Sequence, residues 1–555
     1  MALVTGGELL LRTLLKARVE TIFGLHGAHI DPIFQACLDH GVPILDTRHE
    51  VAAGHAAEGY ARAAGRLGVA MVTAGPGFTN VVTSLANAFL DRTPVLYISG
   101  AAGLGQAETN TLQAGIDQLA VAQPITKWAH RITVTRDIPR LVAQAIRIAT
   151  SGPKGPVLLD IPSDVLGAQV DEASVTIPET ILIEARPGPE PAAVAAALER
   201  LRTAERPVIL LGSGLEASSA ASIRRLAETT GTPVYSDFPA HGLLSSDHPL
   251  YGGTTHKMAD LEGAGGRPDV ILALGVRFGL FTLGTTGLVI PHEARIIHVD
   301  VDAREIGRIV PVEIGIVADA GAATDAFATA AAGLTWPERS AWQARVAATR
   351  IARRKSLQAD LAREHPPIHP IQAVDAIVQS VPPGTLIVGD GAEAYHWLNE
   401  VIHQTRPASY LTHGFLGTVG FGLGLSLGAQ AADRKRPVLC LAGDGAVGFT
   451  IAEFDTMVRH DLPIVVVVMN NHSWAASQHF QELAVGPNRV TGTRLGGARY
   501  HDVAAGFGAR GVHVREIAAL GPAIREAFAR KEPACINVEI DLAPIPPELH
   551  LLMKR

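Results

Sequence analysis

Cysteine is scarce in this chain of 555 residues: Cys37, Cys440 and Cys535 stand far apart and form no CxxC pair. Neither a disulfide framework nor a cysteine zinc site fits that pattern. Charge is sparse too, at 18% of residues, and Lys+Arg 47 against Asp+Glu 54 leaves a net charge of −7. With no cationic excess to neutralise phosphates, nucleic acid is not an expected partner. Long apolar runs are missing as well. The most apolar, Ile464 to Met469, is far too short to cross a bilayer, so no membrane partner is expected. Met1 to Glu8 lacks a charged region followed by an apolar stretch, which makes the cytoplasm the expected setting. Gly 56 and Pro 35 are near average usage, which excludes collagen-like and low-complexity chains.

What is present is apolar: 47% of residues, with a mean hydropathy of +0.21. That excludes a disordered chain and favours strands buried on both faces. At roughly 150 residues per domain the length suggests three or four domains. Two proline-rich stretches, Arg186 to Pro191 and His365 to Pro370, restrict the backbone to extended linkers. They leave segments of about 185, 175 and 190 residues, each near the usual domain size. The expected domains are 1–185, 192–345 and 365–555.

Each segment alternates short aliphatic runs with helix-length stretches. Examples are Val69 to Val72 and Val95 to Ile98, then Val208 to Leu211, Val270 to Leu274 and Ile296 to Val299, then Leu386 to Val388 and Val438 to Leu441. This alternation predicts an α/β protein of three doubly wound parallel-sheet domains.

The strongest chemical signal lies between Arg436 and Asn471. A strand over Val438–Ala442 runs into Gly443-Asp444-Gly445, a helical stretch follows, and the next strand ends in Asn470-Asn471. A strand–helix–strand crossover sets both strands parallel, so their C-terminal ends open on one edge. Either piece alone is ordinary turn or cap chemistry. At this spacing on consecutive strands, Asp444 and Asn471 converge as a carboxylate and an amide oxygen suited to Mg²⁺, while the glycines and the helix N-terminus admit a diphosphate.

The arrangement resembles the signature of the thiamine-diphosphate-dependent enzymes, Gly-Asp-Gly followed about thirty residues later by Asn-Asn. The resemblance implies that Asp444, Asn471 and the backbone oxygen of Ser473 hold Mg²⁺ against the cofactor diphosphate. Gly391, Ala392, Gly417, Thr418, Gly445 and Ala446 match backbone positions lining that cofactor, with Trp474, Ala475 and Ala476 beside them. Val419 matches the bulky residue over which the cofactor bends.

A second signal runs from Asp46 to Arg62, where Glu50 opens an Ala/Gly-rich helix. By itself a glutamate there is explained by the helix macrodipole. The pattern Arg48-His49-Glu50, then Gly59-Tyr60-Ala61-Arg62, resembles the pyrimidine-binding domain of the same family. That likeness implies a hydrogen bond from Glu50 to N1′ of the aminopyrimidine, with Thr73 and the Gly75-Pro76-Gly77 turn completing the wall. It also implies a dimer whose active sites are shared between subunits, commonly within a tetramer.

Nearly end to end the chain resembles the benzaldehyde lyase branch, on Leu25 to Ile30, Asn110 to Gln118 and Val485 to Leu495. This implies reversible cleavage of (R)-benzoin-type 2-hydroxy ketones into aldehydes. His29 is then the base for the carbinol proton, Gln113 a hydrogen-bond partner of the substrate oxygens, and His26, Ala28, Ser163, Ala476, Gln478 and Phe480 the substrate pocket. Ser163 stands where that branch has tryptophan, Gln478 where it has leucine and Val419 where it has methionine. Gly75-Pro76-Gly77 replaces a triple glycine. A larger or wetter pocket, favouring smaller or more polar aldehydes, is expected.

Alternatives remain. A 2-keto acid decarboxylase shares the cofactor, although no adjacent His-His pair is found. An acetolactate-synthase-like enzyme also fits Gly75-Pro76-Gly77 and Gln113. No convincing coenzyme A motif supports an acyl-CoA lyase, and a nonenzymatic Mg²⁺–diphosphate-binding protein is the reading from another class. In the middle segment Gly212-Ser213-Gly214-Leu215-Glu216-Ala217, with Asp237 about twenty residues on, loosely fits a dinucleotide fingerprint; no flavin is expected.

Overall fold

The structure, a computed structural model, describes residues 2–106, 109–279, 282–364 and 366–553. Three six-stranded sheets dominate it, and every strand pairing within them is parallel. The first takes its strands from between Ile22 and Pro162, the second from Pro207 to Val317, the third from Leu386 to Glu539. A small antiparallel pair, Leu3–Thr5 with Gln169–Asp171, ties the chain start to the end of the first unit.

The strands form where β-branched and aliphatic residues run together. Val465–Asn470 reads VVVVMN and is buried throughout. Such a run suits a strand covered by helices on both faces. Each fully buried aliphatic or phenyl side chain contributes about 1.5–3 kcal/mol, and Phe23, Phe78, Phe327 and Phe454 are all wholly buried. The expected three doubly wound sheets are present. The second stretch of prolines leads into the helix Pro370–Ser380, capped by His369 with Gln372 reaching back. His365, Lys554 and Arg555 lie outside the described residues, so the linker's first residue and the last of the tail 551–555 have no structural account.

Counted in chain order within each unit, the first and third sheets share the strand order 2-1-3-4-6-5, whereas the middle sheet runs 3-2-1-4-5-6. The two outer units therefore carry equivalent helices, Glu50–Ala64 and Gly422–Ala432, and these two lie against each other. Small residues let their backbones meet: a Cβ on Gly59 would collide with the Leu425 carbonyl, and one on Gly428 with that of Ala56. Glu50 begins the first of these helices, and Gly417 to Val419 lie just before the second. The packing thus anchors both candidate cofactor segments of one chain.

The three cysteines are buried free thiols. No described helix is long and apolar enough to cross a membrane.

Candidate active site

Three neighbouring strands of the third sheet, Leu386–Asp390, Val438–Gly443 and Val465–Asn470, end on one edge. Their exits carry Gly391-Ala392, Asp444-Gly445-Ala446 and Asn471 to Ala476. Between them lies a cavity of about 120 Å³, which Val419 also lines. Asp444 and Asn471 do converge on it.

Asp444 begins the helix Asp444–Thr450 and is only 3% exposed. Its Oδ1 accepts the Gly445 N–H at 3.0 Å. Its Oδ2 is buried without a partner. Burial pushes the carboxyl up to about 6, against the pull of the Gly445, His472 and Ser473 amides. Asn471 Oδ1 accepts the Ser473 N–H at 3.2 Å. The 472–474 loop is braced from behind by residues 493–495: the Trp474 N–H donates to the Thr493 carbonyl and the Leu495 N–H to that of His472. A Cβ on Gly445 would come within 2.5 Å of the Trp474 ring, while one on Gly443 would meet nothing within 4 Å. An unpaired carboxylate oxygen, an amide oxygen and open backbone are a donor set that suits Mg²⁺ with phosphate completing the shell. Among the described residues no cluster of three or more His, Cys, Asp or Glu could hold a metal by itself.

The N-terminal candidates gather elsewhere. Glu50 follows the N-cap His49, whose Nδ1 accepts the Val51 N–H. Glu50 is 7% exposed, and its Oε2 accepts from Asn80 Nδ2 at 2.9 Å. Thr73 leaves the strand Gly68–Val72, and its Oγ1 lies 3.2 Å from His29 Nδ1. Burial lowers the affinity of His29 for a proton, which favours the neutral ring a base requires. Gln113, at φ +65°, covers Gly75, at φ +62°. The buried Gln118 fixes that turn: its Oε1 accepts the Gly75 N–H at 2.9 Å and its Nε2 lies 2.8 Å from Asp160 Oδ2. Ala28 and His26 are exposed, and Ser163 is half-buried at the start of the helix Ser163–Gly167. His26 Nε2 lies 3.2 Å from Asp31 Oδ1.

Within one chain the two clusters do not meet. All lining residues of the Asp444 cavity fall between Pro370 and Ile540, and Glu50, Thr73, His29 and Gln113 are not among them. Gln478 is also off the lining. It is buried, with Oε1 2.8 Å from Ser473 Oγ and Nε2 donating to Glu482 at 2.8 Å. Phe480 is 46% exposed. Thr418, next to Gly417 at φ +67°, turns its hydroxyl to Asn87.

Sequence reasoning missed Glu393, which lines the cavity one residue beyond Ala392. Its Oε1 lies 2.6 Å from His479 Nδ1, and His479 Nε2 lies 2.9 Å from the Leu542 carbonyl oxygen. Burial raises the Glu393 carboxyl above its ordinary value although His479 opposes this.

Family models match all three units. The N-terminal TPP binding domain of thiamine pyrophosphate enzymes matches residues 4–121, the central domain 194–327 and the C-terminal TPP binding domain 390–538. The chain belongs to the thiamine pyrophosphate enzymes. It is 32% identical to a probable acetolactate synthase large subunit of Methanocaldococcus jannaschii, covering 97% of this chain and 92% of that one. The acetolactate synthase isozyme 1 large subunit of Escherichia coli K12 is 31% identical, covering 97% and 94%. The 2-hydroxyacyl-CoA lyase 2 of Homo sapiens is 32% identical, covering 91% and 84%.

As a thiamine pyrophosphate enzyme the chain uses its central sheet in the dinucleotide-type strand order, with Gly212-Ser213-Gly214 where that order reverses. Here the Gly212 N–H donates to the Leu274 carbonyl and the Gly214 N–H to that of Gly275. A Cβ on either glycine would strike the Gly275 backbone. These glycines serve close packing of the chain on itself. Asp237 is half-buried beside them with its Oδ1 buried and unpartnered, and burial pushes its carboxyl up to about 7.

Proposed function

We propose that this thiamine pyrophosphate enzyme is a carboligase and aldehyde lyase that reversibly cleaves 2-hydroxy ketones of the (R)-benzoin type into aldehydes. One observation carries the choice of substrate class. Among the described residues the Asp444 cavity is lined by no Arg, Lys or His, while Glu393 brings a carboxylate to its wall. On this wall, contributed by the third unit, the carboxylate of a 2-keto acid would find no cationic side chain, whereas a neutral aldehyde or hydroxy ketone needs none.

Bound there, thiamine diphosphate supplies a nucleophilic thiazolium carbon for addition to a carbonyl. Asp444 Oδ2, the Asn471 amide oxygen and the Ser473 carbonyl would hold Mg²⁺ against its diphosphate. Gly391, Ala392, Gly445 and Ala446 would bring backbone to it, with Val419 beside them. Glu50 holds a proton at the aminopyrimidine N1′, in a site dry enough for that contact to be weakly screened. His29 takes the hydroxyl proton as the ketone divides and returns it on ligation. Gln113 orients the substrate oxygens, with His26, Ala28, Ser163 and Ala476 around them. Because the Glu50 cluster and the Asp444 cavity stand apart in one chain, the working unit is a dimer in which each centre joins two subunits, doubled to a tetramer.

The second reading, an acetolactate-synthase-like ligation of 2-keto acids, is supported by what two of the relatives are named for and by Gly75-Pro76-Gly77. Purified protein with Mg²⁺ and thiamine diphosphate is fed (R)-benzoin or pyruvate, beside Glu50→Gln. Benzaldehyde from the parent alone is the expected result. Acetolactate from pyruvate without benzaldehyde from benzoin would sink the lyase reading.

A further inference from the structure

The helix that begins with Glu50 carries a second glutamate two turns on, Glu58, whose side chain is wholly buried at the contact with the third unit. Burying a carboxylate is costly unless partners surround it. Here Asn87 Nδ2, from the helix Pro76–Leu90, donates to Oε1 at 3.1 Å and to Oε2 at 2.8 Å. Arg62 Nη1 lies 3.4 Å and His55 Nδ1 3.6 Å from the same carboxylate. Burial works against the charge of Glu58, yet His55, Arg62 and Asn87 outweigh it and hold the carboxyl below its ordinary range.

Two members of this cluster, Asn87 and Arg62, together with Asp91 beside them, also hold the loop that precedes the helix Gly422–Ala432. Thr418 Oγ1 donates to Asn87 Oδ1 at 2.8 Å. Arg62 Nη1 donates to the Thr412 carbonyl at 2.9 Å. The Phe415 N–H donates to Asp91 Oδ1 at 3.3 Å, and Asp91 sits so close to Gly414 that any Cβ there would collide with its carboxylate. The orientation of Asn87 is settled by its partners. A carboxylate can only accept, so the amide nitrogen faces Glu58 and the amide oxygen is left for the Thr418 hydroxyl. The loop 412–418 is therefore held at three points by residues of the N-terminal unit, and its own sequence shows none of them.

We propose that Asn87, oriented by buried Glu58, is a positioning residue for the Gly417–Val419 segment of the cofactor site. This rests on the reading that those residues line thiamine diphosphate through their backbone. Thr418 turns its hydroxyl into the protein, to Asn87, so the hydroxyl sets the backbone path. Since Glu50 and Glu58 share a helix, one helix presents the activating glutamate to one centre and holds the cofactor loop of the other.

The test is a double-mutant cycle on thiamine diphosphate affinity, read by calorimetry on metal-loaded protein without turnover, together with thermal unfolding of the cofactor-free protein. Thr418→Val removes one hydrogen bond at nearly constant volume and should weaken binding about five- to tenfold. Asn87→Ala should weaken it at least as much, and adding Thr418→Val to Asn87→Ala should cost little more, because both remove the same interaction. Thr418→Ser, which keeps the hydroxyl, should restore most of the affinity. The unfolding midpoint of Thr418→Val should stay near that of the parent. Unchanged affinity in Thr418→Val, or losses that simply add in the double variant, would overturn the proposal. If Asn87→Ala does not fold, the comparison of Thr418→Val with Thr418→Ser decides alone: equal losses in both overturn it. Failure of the parent to bind thiamine diphosphate at all removes the cofactor reading instead and is separately visible.

Discussion

Asn80 Nδ2 donates to Glu50 Oε2 at 2.9 Å, while Gly77, with no Cβ, leaves room beside Oε1. One carboxylate oxygen is thus pinned by Asn80, while the other lies beside Gly77. A group held this way serves a positional task, and its charge state is what the task depends on.

Glu50→Gln therefore should keep the cofactor and lose the reaction. The amide is nearly isosteric and can still meet Asn80, but it cannot hold a proton at N1′. Turnover of (R)-benzoin should fall by about 10²–10⁴, the usual scale for a positioned acid–base group, with thiamine diphosphate affinity within a few-fold of the parent. Steady-state kinetics beside calorimetric binding makes the separation. Loss of binding in step with turnover would assign Glu50 a structural role.

Asp444→Asn addresses the other half. The buried, unpartnered Oδ2 is the only carboxylate oxygen in the proposed Mg²⁺ set, and the variant removes its charge while preserving shape. Thiamine diphosphate binding by the parent should depend on Mg²⁺ and be lost on chelation. In Asp444→Asn the Mg²⁺ needed for half-maximal binding should rise by about tenfold or more, since a hard cation draws most of its affinity from anionic oxygen. A binding curve indifferent to Mg²⁺ in the parent would contradict this placement.

Glu453 links the two units in another way. Its Oε1 and Oε2 accept the Arg48 N–H at 3.1 and 3.2 Å, just before Glu50. Burial pushes its carboxyl up to about 7 although Thr456 and the Arg48 and His49 amides resist. The folded protein then binds this proton more tightly than the unfolded chain does. Between the ordinary glutamate range and pH 7 the native state holds more protons, so the contribution of this group to stability falls as pH rises across that window. Glu453→Gln cannot titrate. Its unfolding free energy relative to the parent should therefore improve from pH 5 to pH 7 and then level off, as denaturant titrations at several pH values would show. A constant difference across the window would mean that Glu453 is not held neutral.

Much of this architecture is legible in sequence because a strand buried on both faces needs an unbroken aliphatic run, as in Val208 to Leu211 or Val465 to Met469. Asp444 and Asn471 could be paired in advance because adjacent parallel strands force their C-terminal ends together. What escaped depends on contacts far apart in the chain. Short edge strands such as Ile44–Asp46 and Tyr410–Thr412 have only three residues each and no periodicity to read. Asn87 and Thr418 are 331 residues apart, Glu393 and His479 are 86 apart, and neither pair forms a motif. Gln478 is assigned to the substrate pocket by family resemblance, and its neighbours Ala476 and Ser477 line the cavity. One further step around the helix turns its amide to Ser473 and Glu482.

Glu393 offers the sharpest test of substrate class. Leu542 presents a carbonyl, which can only accept, so His479 Nε2 carries a hydrogen; its Nδ1 then faces Glu393 Oε1 at 2.6 Å with one proton between them. Glu393→Leu removes the carboxylate from the cavity wall and with it the partner that raises the proton affinity of the His479 imidazole behind it. If that carboxylate repels anionic substrates, an aldehyde carrying a carboxylate, such as 4-formylbenzoate, should gain on benzaldehyde in kcat/KM by about tenfold, the factor given by about 1.4 kcal/mol of relieved repulsion. The gain should shrink with added salt if the cavity is open to ions, and persist if it is not. Competition between the two aldehydes in one carboligation mixture, parent against variant, measures the ratio directly. A ratio that stays constant, with thiamine diphosphate affinity altered instead, would move Glu393 from substrate selection to the diphosphate cradle.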